Sequence, residues 1–131
     1  MAIEPLTKYV MIVVYVPAEY TEDVQVAMCE AGAGTVEDGH YDRVVFITRS
    51  ICKYRVLENA WGRAGAKGEE YEMEENRIEA ICRRDKVEAV VSAIVEAHPY
   101  EMPAIAIYPT LTGEYKYWAD RGAVRSSSIG G

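Results

Sequence analysis

One short segment between a predicted helix and a predicted strand concentrates side chains that can do chemistry. It holds His98 directly before Pro99, and Tyr100 and Glu101 between Pro99 and Pro103. Proline fixes its own φ and moves the preceding residue out of helical space, so this turn is rigid. Histidine and glutamate three residues apart can meet one metal ion or act as an acid–base pair. They can equally form a structural corner, in which His98 caps its helix and the other two side chains bond loop backbone.

A metal site at this turn needs more ligands, because transition metals usually take three or four. The second histidine of the chain is His40, in an acidic loop with Glu37, Asp38 and Asp42. His98, Glu101 and His40 are therefore the candidate ligands of a divalent metal. The alternative for the acidic loop is a solvated turn, which its Asp-Gly pair favours.

A second candidate region is the segment 49–71, predicted as a long loop between the second and third strands. Loops longer than about fifteen residues in a compact domain are usually functional or disordered. The segment carries Arg49, Lys53 and Arg55 on an acidic chain, so it can recognise an anion or a partner protein. The alternative is an excursion whose charges serve solubility.

Composition narrows the class of protein. The chain has 131 residues, which predicts one domain, and a net charge of −7 with a pI near 4.9. This charge argues against nucleic acid and anionic membrane surfaces as partners. The longest apolar run, residues 10–16, is too short to span a bilayer, and no secretory signal pattern opens the sequence. Three cysteines without CxxC spacing (Cys29, Cys52 and Cys82) favour a reduced, cytoplasmic protein without a disulfide or zinc ribbon.

Hydrophobic periodicity predicts the elements that position these residues. Their order is strand, helix, strand, strand, helix, strand, which is the ferredoxin-like α+β arrangement: a four-stranded antiparallel sheet with both helices on one face. Asp85 is the expected cap of the second helix. We expect this domain to cover residues 1–110, followed by an extension over 111–131 whose Ser/Gly-rich end is disordered. The predicted strands are 8–16, 43–48, 72–82 and 104–108, and the predicted helices are 19–31 and 85–97.

The first strand is apolar on both faces between Val10 and Tyr15. Two helices can cover only one face of a sheet, and soluble monomers rarely leave a large apolar face exposed. We therefore expect another copy of the chain to cover the second face, with closed cyclic symmetry. The alternative is that the aromatic tail, with Tyr115, Tyr117 and Trp118, folds back over it.

These segments together resemble a known family, the YqfO-type domain, which is an insert of the NIF-three-like proteins and also occurs as a small separate protein. The resemblance covers about residues 8–110 and implies a fold similar to the CutA and PII proteins, which are ferredoxin-like chains that form trimers with sheets facing inward. The segments that carry it are residues 8–19, Glu-Ala-Gly-Ala-Gly at 30–34, Tyr41-Asp42, and 97–109 with its His-Pro-Tyr-Glu-Met-Pro turn.

The chain departs from the family pattern at three places. Met102 stands where the family usually has a second glutamate, which weakens any role for paired carboxylates in the turn. Residues 52–58 replace a glycine-rich segment with a Phe-Arg-Pro core, and the tail after Thr110 has no counterpart. The two-metal site of the full-length family lies in flanking domains that have no match here, so no ligand is transferred from it.

Three functional hypotheses remain open from the sequence. The first is an oligomeric, regulatory-type protein, a trimer, that binds a metal cation, a small anion or a protein at intersubunit clefts or through the 49–71 loop. The second is an enzyme or enzyme subunit that uses His98, Tyr100 and Glu101 as acid–base groups in a site shared between subunits. The third is a structural oligomerisation module. The candidate ligand-binding residues are His98, Tyr100, Glu101, Arg49, Lys53 and Arg55.

Overall fold

The computed structural model describes residues 8–35, 41–58 and 65–111. Its strands are antiparallel and lie in the order β2-β3-β1-β4, so the predicted ferredoxin-like α+β fold is confirmed. A short 3-10 turn precedes each helix. Within the described residues, no helix is long and apolar enough to cross a membrane. The elements are β1 (Tyr9–Pro17), α1 (Thr21–Glu30), β2 (Phe46–Arg55), β3 (Glu70–Arg83), α2 (Val87–Ala97) and β4 (Ala104–Pro109).

The hydrophobic core lies between the two helices and one face of the sheet. Each strand of a sheet sends alternate side chains to that face, so β1 contributes its even-numbered residues and β3 does the same. Burying each aliphatic side chain of this size contributes about 1.5–3 kcal/mol, which makes this layer the main source of stability. The buried members are Val10, Ile12, Val14 and Val16 from β1, Ile78, Ala80 and Cys82 from β3, Val24, Met28 and Cys29 from α1, and Val90 and Ile94 from α2.

A glycine turn after α1 fastens this helix to the sheet. Gly34 has a φ of +84°, donates its N–H to the Ile81 carbonyl at 2.8 Å and accepts from Val44 N at 3.0 Å. Arg43 also has a positive φ, of 56°. The Val44 N–H is therefore bonded within the turn and not to a neighbouring strand. The sequence predicted that β2 begins at residue 43, whereas the structure begins it at Phe46.

The predicted loop over 49–71 is wrong in its bounds, because β2 continues to Arg55 and β3 begins at Glu70. Only residues 56–69 connect the two strands. Lys53 lies opposite Glu72, and Tyr54 lies opposite Tyr71 with their ring centroids 5.5 Å apart. Opposite-charge and aromatic cross-strand pairs stabilise these strands. They do not require the alternation of apolar and polar residues by which a strand is recognised in a sequence.

Part of this strand pair extends beyond the rest of the sheet. β1 ends at Pro17, opposite Glu75, whereas β2 and β3 remain paired from Ser50 with Glu75 out to Arg55 with Glu70. We call residues 51–55 and 70–74 the arm. Within the part of the chain that the structure describes, no strand pairs with either outer edge of the arm.

The start of α2 differs from the expectation at Asp85. Its carboxylate accepts hydrogen bonds from the Arg83 guanidinium at 2.8 and 3.2 Å, which lowers the pKa of Asp85, and no side-chain hydrogen bond caps the helix. Asp85 belongs to the 3-10 turn Arg84–Lys86, which precedes the first α-helical residue. The predicted cap is therefore wrong because the chain makes an extra turn before α2.

The face of the sheet opposite the helices, called the open face below, is apolar along β1, as predicted, and carries Glu75, Arg77 and Glu79 on β3. On β1, Tyr9 and Val13 are only 4 % and 1 % exposed. The exposed apolar side chains on this face lie on the two edge strands, with Phe46 of β2 at 61 % and Tyr108 of β4 at 53 %.

Candidate functional site

His98 is held at the end of α2 by three hydrogen bonds. Its backbone N–H donates to the Ile94 carbonyl at 2.9 Å, and its ψ of 140° ends the helix. On the buried ring, Nε2 lies 2.7 Å from the Tyr15 carbonyl oxygen, and Nδ1 lies 3.1 Å from the Tyr100 backbone nitrogen. A carbonyl can only accept and an amide N–H can only donate, so Nε2 carries the proton and Nδ1 accepts. The ring is therefore a neutral imidazole with both nitrogens engaged.

The His98 ring therefore links the end of α2 to strand β1 through its hydrogen bond with the Tyr15 carbonyl. A metal ion or a reacting proton at His98 would have to displace Tyr15 or Tyr100 from its nitrogen. The geometry therefore favours the corner over the metal-ligand and acid–base roles.

Tyr100 brings the turn onto a carboxylate of β3. Its hydroxyl donates to Glu75 Oε2 at 2.9 Å and lies 3.0 Å from Met73 Sδ. Glu75 is only 5 % exposed. Burial, and then the hydrogen bond and charge of Glu75, raise the pKa of Tyr100. The phenol is thus a stable donor to a buried carboxylate.

Glu75 is the residue of this site that the sequence does not identify. It lies on the polar face of the predicted third strand, next to Arg77 and Glu79, where a solvated carboxylate is the ordinary expectation. Its burial depends on a turn more than twenty residues away, and no local pattern encodes that contact.

The other predicted metal ligands are not brought together with His98 in the described part of the chain. Glu101 is exposed, and His40 lies outside the described residues. Within the ranges that the structure describes, no group of three or more histidine, cysteine, aspartate or glutamate side chains is placed to hold a metal ion.

The three predicted basic residues share one side of β2, the side on which the helices pack. Arg49, Lys53 and Arg55 are all exposed. Lys53 Nζ lies 3.4 Å from Glu72 Oε1, and Arg55 is the cross-strand partner of Glu70. A cavity of about 460 Å³ opens among residues 53–55 and 70–72 of the arm. Because glutamates oppose two of the three cations, this surface has little net positive charge for an anion.

On the open face, sulfur and oxygen side chains meet where the arm joins the sheet. Cys52 is the direct cross-strand partner of Met73, and Ser50 is the partner of Glu75. The Ser50 hydroxyl donates to the Glu75 backbone carbonyl at 2.7 Å. Burial, and secondarily the Glu75 carboxylate, raise the pKa of the Cys52 thiol. All three cysteines of the chain are free thiols, as the sequence predicts.

Comparison with known proteins gives consistent matches in sequence. Residues 66–121 match the family model of the CutA1 divalent ion tolerance protein. The chain is 37 % identical over 106 residues to the GTP cyclohydrolase 1 type 2 homolog of Bacillus subtilis, covering 81 % of this chain and 27 % of that protein. For the homolog of Listeria monocytogenes, the identity is 33 % over 122 residues, covering 93 % of this chain and 32 % of that protein. The chain thus spans roughly a quarter to a third of these relatives.

Comparison with solved structures also finds NIF3-related and CutA proteins. A Bacillus cereus protein related to NIF3 superposes with a TM-score of 0.69 at 32 % identity, over 79 % of this chain and 26 % of that chain. The periplasmic divalent cation tolerance protein CutA of Archaeoglobus fulgidus superposes with a TM-score of 0.56 at 18 % identity, over 78 % of this chain and 83 % of that chain. The second likeness is one of fold.

Proposed function

We propose that this chain is an oligomeric binding module. It is similar to CutA1 over residues 66–121 and to one segment of the NIF3-type proteins, as its sequence predicts. In this proposal it assembles as a trimer in the cytoplasm and takes up its ligand where copies of the chain meet. The proposed ligand is a metal cation, a small anion or a segment of another protein.

The exposure of β2 is the observation that carries the assembly. Eight of its ten residues are exposed, among them Phe46 at 61 % and Ile51 at 66 %. A long edge strand with exposed apolar side chains is a template for pairing, and natural proteins cover or blunt such edges. A second copy of the chain is the partner that is always present at equal concentration.

The other edge of the sheet supports a ring of copies. β4 exposes Ile107 and Tyr108, so the two edges with apolar surface belong to different strands. A contact between unlike edges is head-to-tail, and head-to-tail contacts close into rings when the rotation allows. The resemblance to CutA and PII supports three as the number of chains.

The hydrogen bonding of His98 and Tyr100 in the turn after α2 supports a binding role over acid–base chemistry. Both nitrogens of His98 bond backbone groups, and the raised pKa of Tyr100 keeps its proton in place. The name GTP cyclohydrolase 1 type 2 homolog belongs to relatives about three to four times longer than the matched segment. The family model's description as a divalent ion tolerance protein supports a cation among the ligand classes.

Light scattering coupled to size-exclusion chromatography at micromolar concentration tests the assembly. We expect the mass of three chains for the wild type. Ile51→Lys should shift the equilibrium toward single chains, because it places a charge on the exposed strand. Val95→Lys changes an equally aliphatic residue, 46 % exposed on α2, and should leave the mass unchanged. A folded, soluble wild type that runs only as single chains would overturn the proposed assembly.

Thermal unfolding with divalent metals, inorganic phosphate and nucleotides tests the binding function. A ligand that binds only the folded state stabilises it by about 2.7 kcal/mol at one hundred times its Kd. We therefore expect at least one of these probes to raise the Tm in a concentration-dependent way. A Tm that none of them changes would count against a ligand-binding role and leave the structural oligomerisation module as the better account.

A further inference from the structure

Four side chains converge on the open face at the base of the arm. Cys52 and Met73 are directly paired across β2 and β3, so their side chains lie on the same face with Cβ atoms about 5 Å apart. Glu75 lies two residues further along β3, on that same face. The Tyr100 hydroxyl contacts both Met73 Sδ, at 3.0 Å, and Glu75 Oε2, at 2.9 Å. A thiol, a thioether and a carboxylate are thereby brought to one place.

We propose that Cys52, Met73 and Glu75 bind a soft monovalent metal ion of the Cu(I) class. Thiolate and thioether sulfur are the ligands that select Cu(I) over the hard divalent cations. This inference rests on the binding function proposed above and specifies its metal-cation class, but it places the ion within one chain and not where copies meet. All three ligands belong to one chain, so the site does not require the proposed trimer.

The surroundings of Cys52 suit a bound cation. The carboxylate of Glu75 is buried and close enough to act electrostatically on the Cys52 sulfur. A monovalent ion that replaces the thiol proton leaves the cysteine without net charge, so no uncompensated thiolate forms beside this carboxylate. The S–H bond breaks, an S–metal bond forms, and one proton leaves to solvent for each ion bound. The oxidation state of the metal does not change.

Met73 is well suited to complete such a site. Its unbranched side chain has three rotatable bonds, so the sulfur can move toward the Cys52 sulfur without movement of β3. Tyr100 is a positioning residue, since its hydroxyl holds the Glu75 carboxylate beside the methionine sulfur.

The other cysteines do not offer the same set of ligands. Cys29 and Cys82 are 7 % and 0 % exposed and belong to the hydrophobic core on the helix side of the sheet. Cys52 is half-buried on the opposite face. The site is therefore specific to the base of the arm, and core thiols serve as internal controls.

Ag(I), an air-stable analogue of Cu(I), allows a direct test on the full chain with methyl-13C methionine. We expect the Met73 methyl resonance to move during an Ag(I) titration and to stop moving at one ion per chain. The Met102 methyl, on a side chain that is 79 % exposed, should not move. This measurement needs no substitution, so it does not depend on the folding of a variant.

Affinity for Cu(I) is then measured anaerobically by competition with bathocuproine disulfonate. Cys52→Ser should abolish competition, and Met73→Leu should weaken binding at least tenfold. Met102→Leu, the matched control, should bind like the wild type.

Two results would overturn the proposal: a Met73 methyl that Ag(I) leaves in place, or a Met73→Leu variant with unchanged Cu(I) affinity. Either would mean that Met73 is not a ligand and that the proposed site does not form. Light scattering on the same samples separates this failure from a failure of the proposed assembly.

Discussion

The Tyr100 hydroxyl donates a 2.9 Å hydrogen bond to the buried Glu75 carboxylate and so ties the turn after α2 to strand β3. Two residues earlier, the His98 ring bonds the Tyr15 carbonyl of β1 at 2.7 Å. The turn is thus anchored to both central strands of the sheet. Four predictions follow from these contacts and from the glycine turn after α1.

Tyr100→Phe should lower the free energy of unfolding by about 1–3 kcal/mol, because it leaves a buried carboxylate without its donor. Tyr108→Phe removes the same oxygen from an exposed side chain and should change stability by less than about 0.5 kcal/mol. Urea unfolding of both variants measures the difference. Equal stability of the two variants would show that the Glu75 contact contributes little.

Stability should fall in alkaline solution more steeply for the wild type than for Tyr100→Phe. Burial and the Glu75 hydrogen bond raise the pKa of Tyr100 above its ordinary value of 10.0. The folded protein then holds this proton more tightly than the unfolded chain. Its contribution is therefore fully present below about pH 10 and is lost as the pH rises through the folded-state pKa.

Cys82 provides the background for that measurement. Burial raises the pKa of its thiol to about 11, so it contributes a loss of stability in the same direction in both proteins. Urea unfolding of the wild type and Tyr100→Phe between pH 8 and about 12 isolates the tyrosine as the difference between two curves. Parallel curves would mean that Tyr100 titrates alike in the folded and unfolded chain.

The His98 ring should be a neutral imidazole with its proton on Nε2 at pH 7, because a backbone carbonyl faces Nε2 and a backbone N–H faces Nδ1. Long-range 1H–15N correlation spectra of the imidazole report the tautomer directly. His98→Ala should lower the free energy of unfolding by about 1–3 kcal/mol, since it leaves buried backbone groups without partners. An imidazolium at neutral pH would contradict this assignment.

Gly34→Ala should be more damaging than Gly68→Ala, although both glycines have nearly the same φ, +84° and +85°. The left-handed conformation costs any other residue about 1–2 kcal/mol at either position. At Gly34 a Cβ would also lie 2.7 Å from the Val44 backbone nitrogen, whereas nothing lies within 4 Å at Gly68. Urea unfolding should show the additional loss at Gly34; similar losses would mean that the Val44 backbone moves aside easily.

The sequence predicts the layered part of the fold because burial on one face leaves a periodic trace. Alternation places Ile78, Ala80 and Cys82 on the core face of β3, and the structure buries all three. The arm leaves no such trace. Its stability comes from pairs such as Tyr54 with Tyr71, which join residues distant in the chain, so the basic residues of β2 are assigned to a loop by pattern alone.

For the site, as for the fold, one part is predictable from the sequence and another is not. The two prolines that follow His98 identify a rigid turn, and two of its polar residues, His98 and Tyr100, do lie against the sheet. Their hydrogen-bond partners cannot be predicted in the same way. The partner of His98 is the backbone carbonyl of Tyr15, and every residue has such a group. Glu75 differs from its neighbours on β3 only in what covers it, and that is decided by the course of the turn over the sheet.

The arm is a part of the fold whose length can change without altering the rest of the sheet. Residues 51–55 and 70–74 are held to each other by strand hydrogen bonds and cross-strand side-chain pairs, and β1 ends opposite Glu75 before this segment starts. Insertion or deletion of two consecutive residues in each strand keeps every remaining side chain on its original face. Related sequences can therefore vary the reach and chemistry of this projection while the helices and the central strands keep their places.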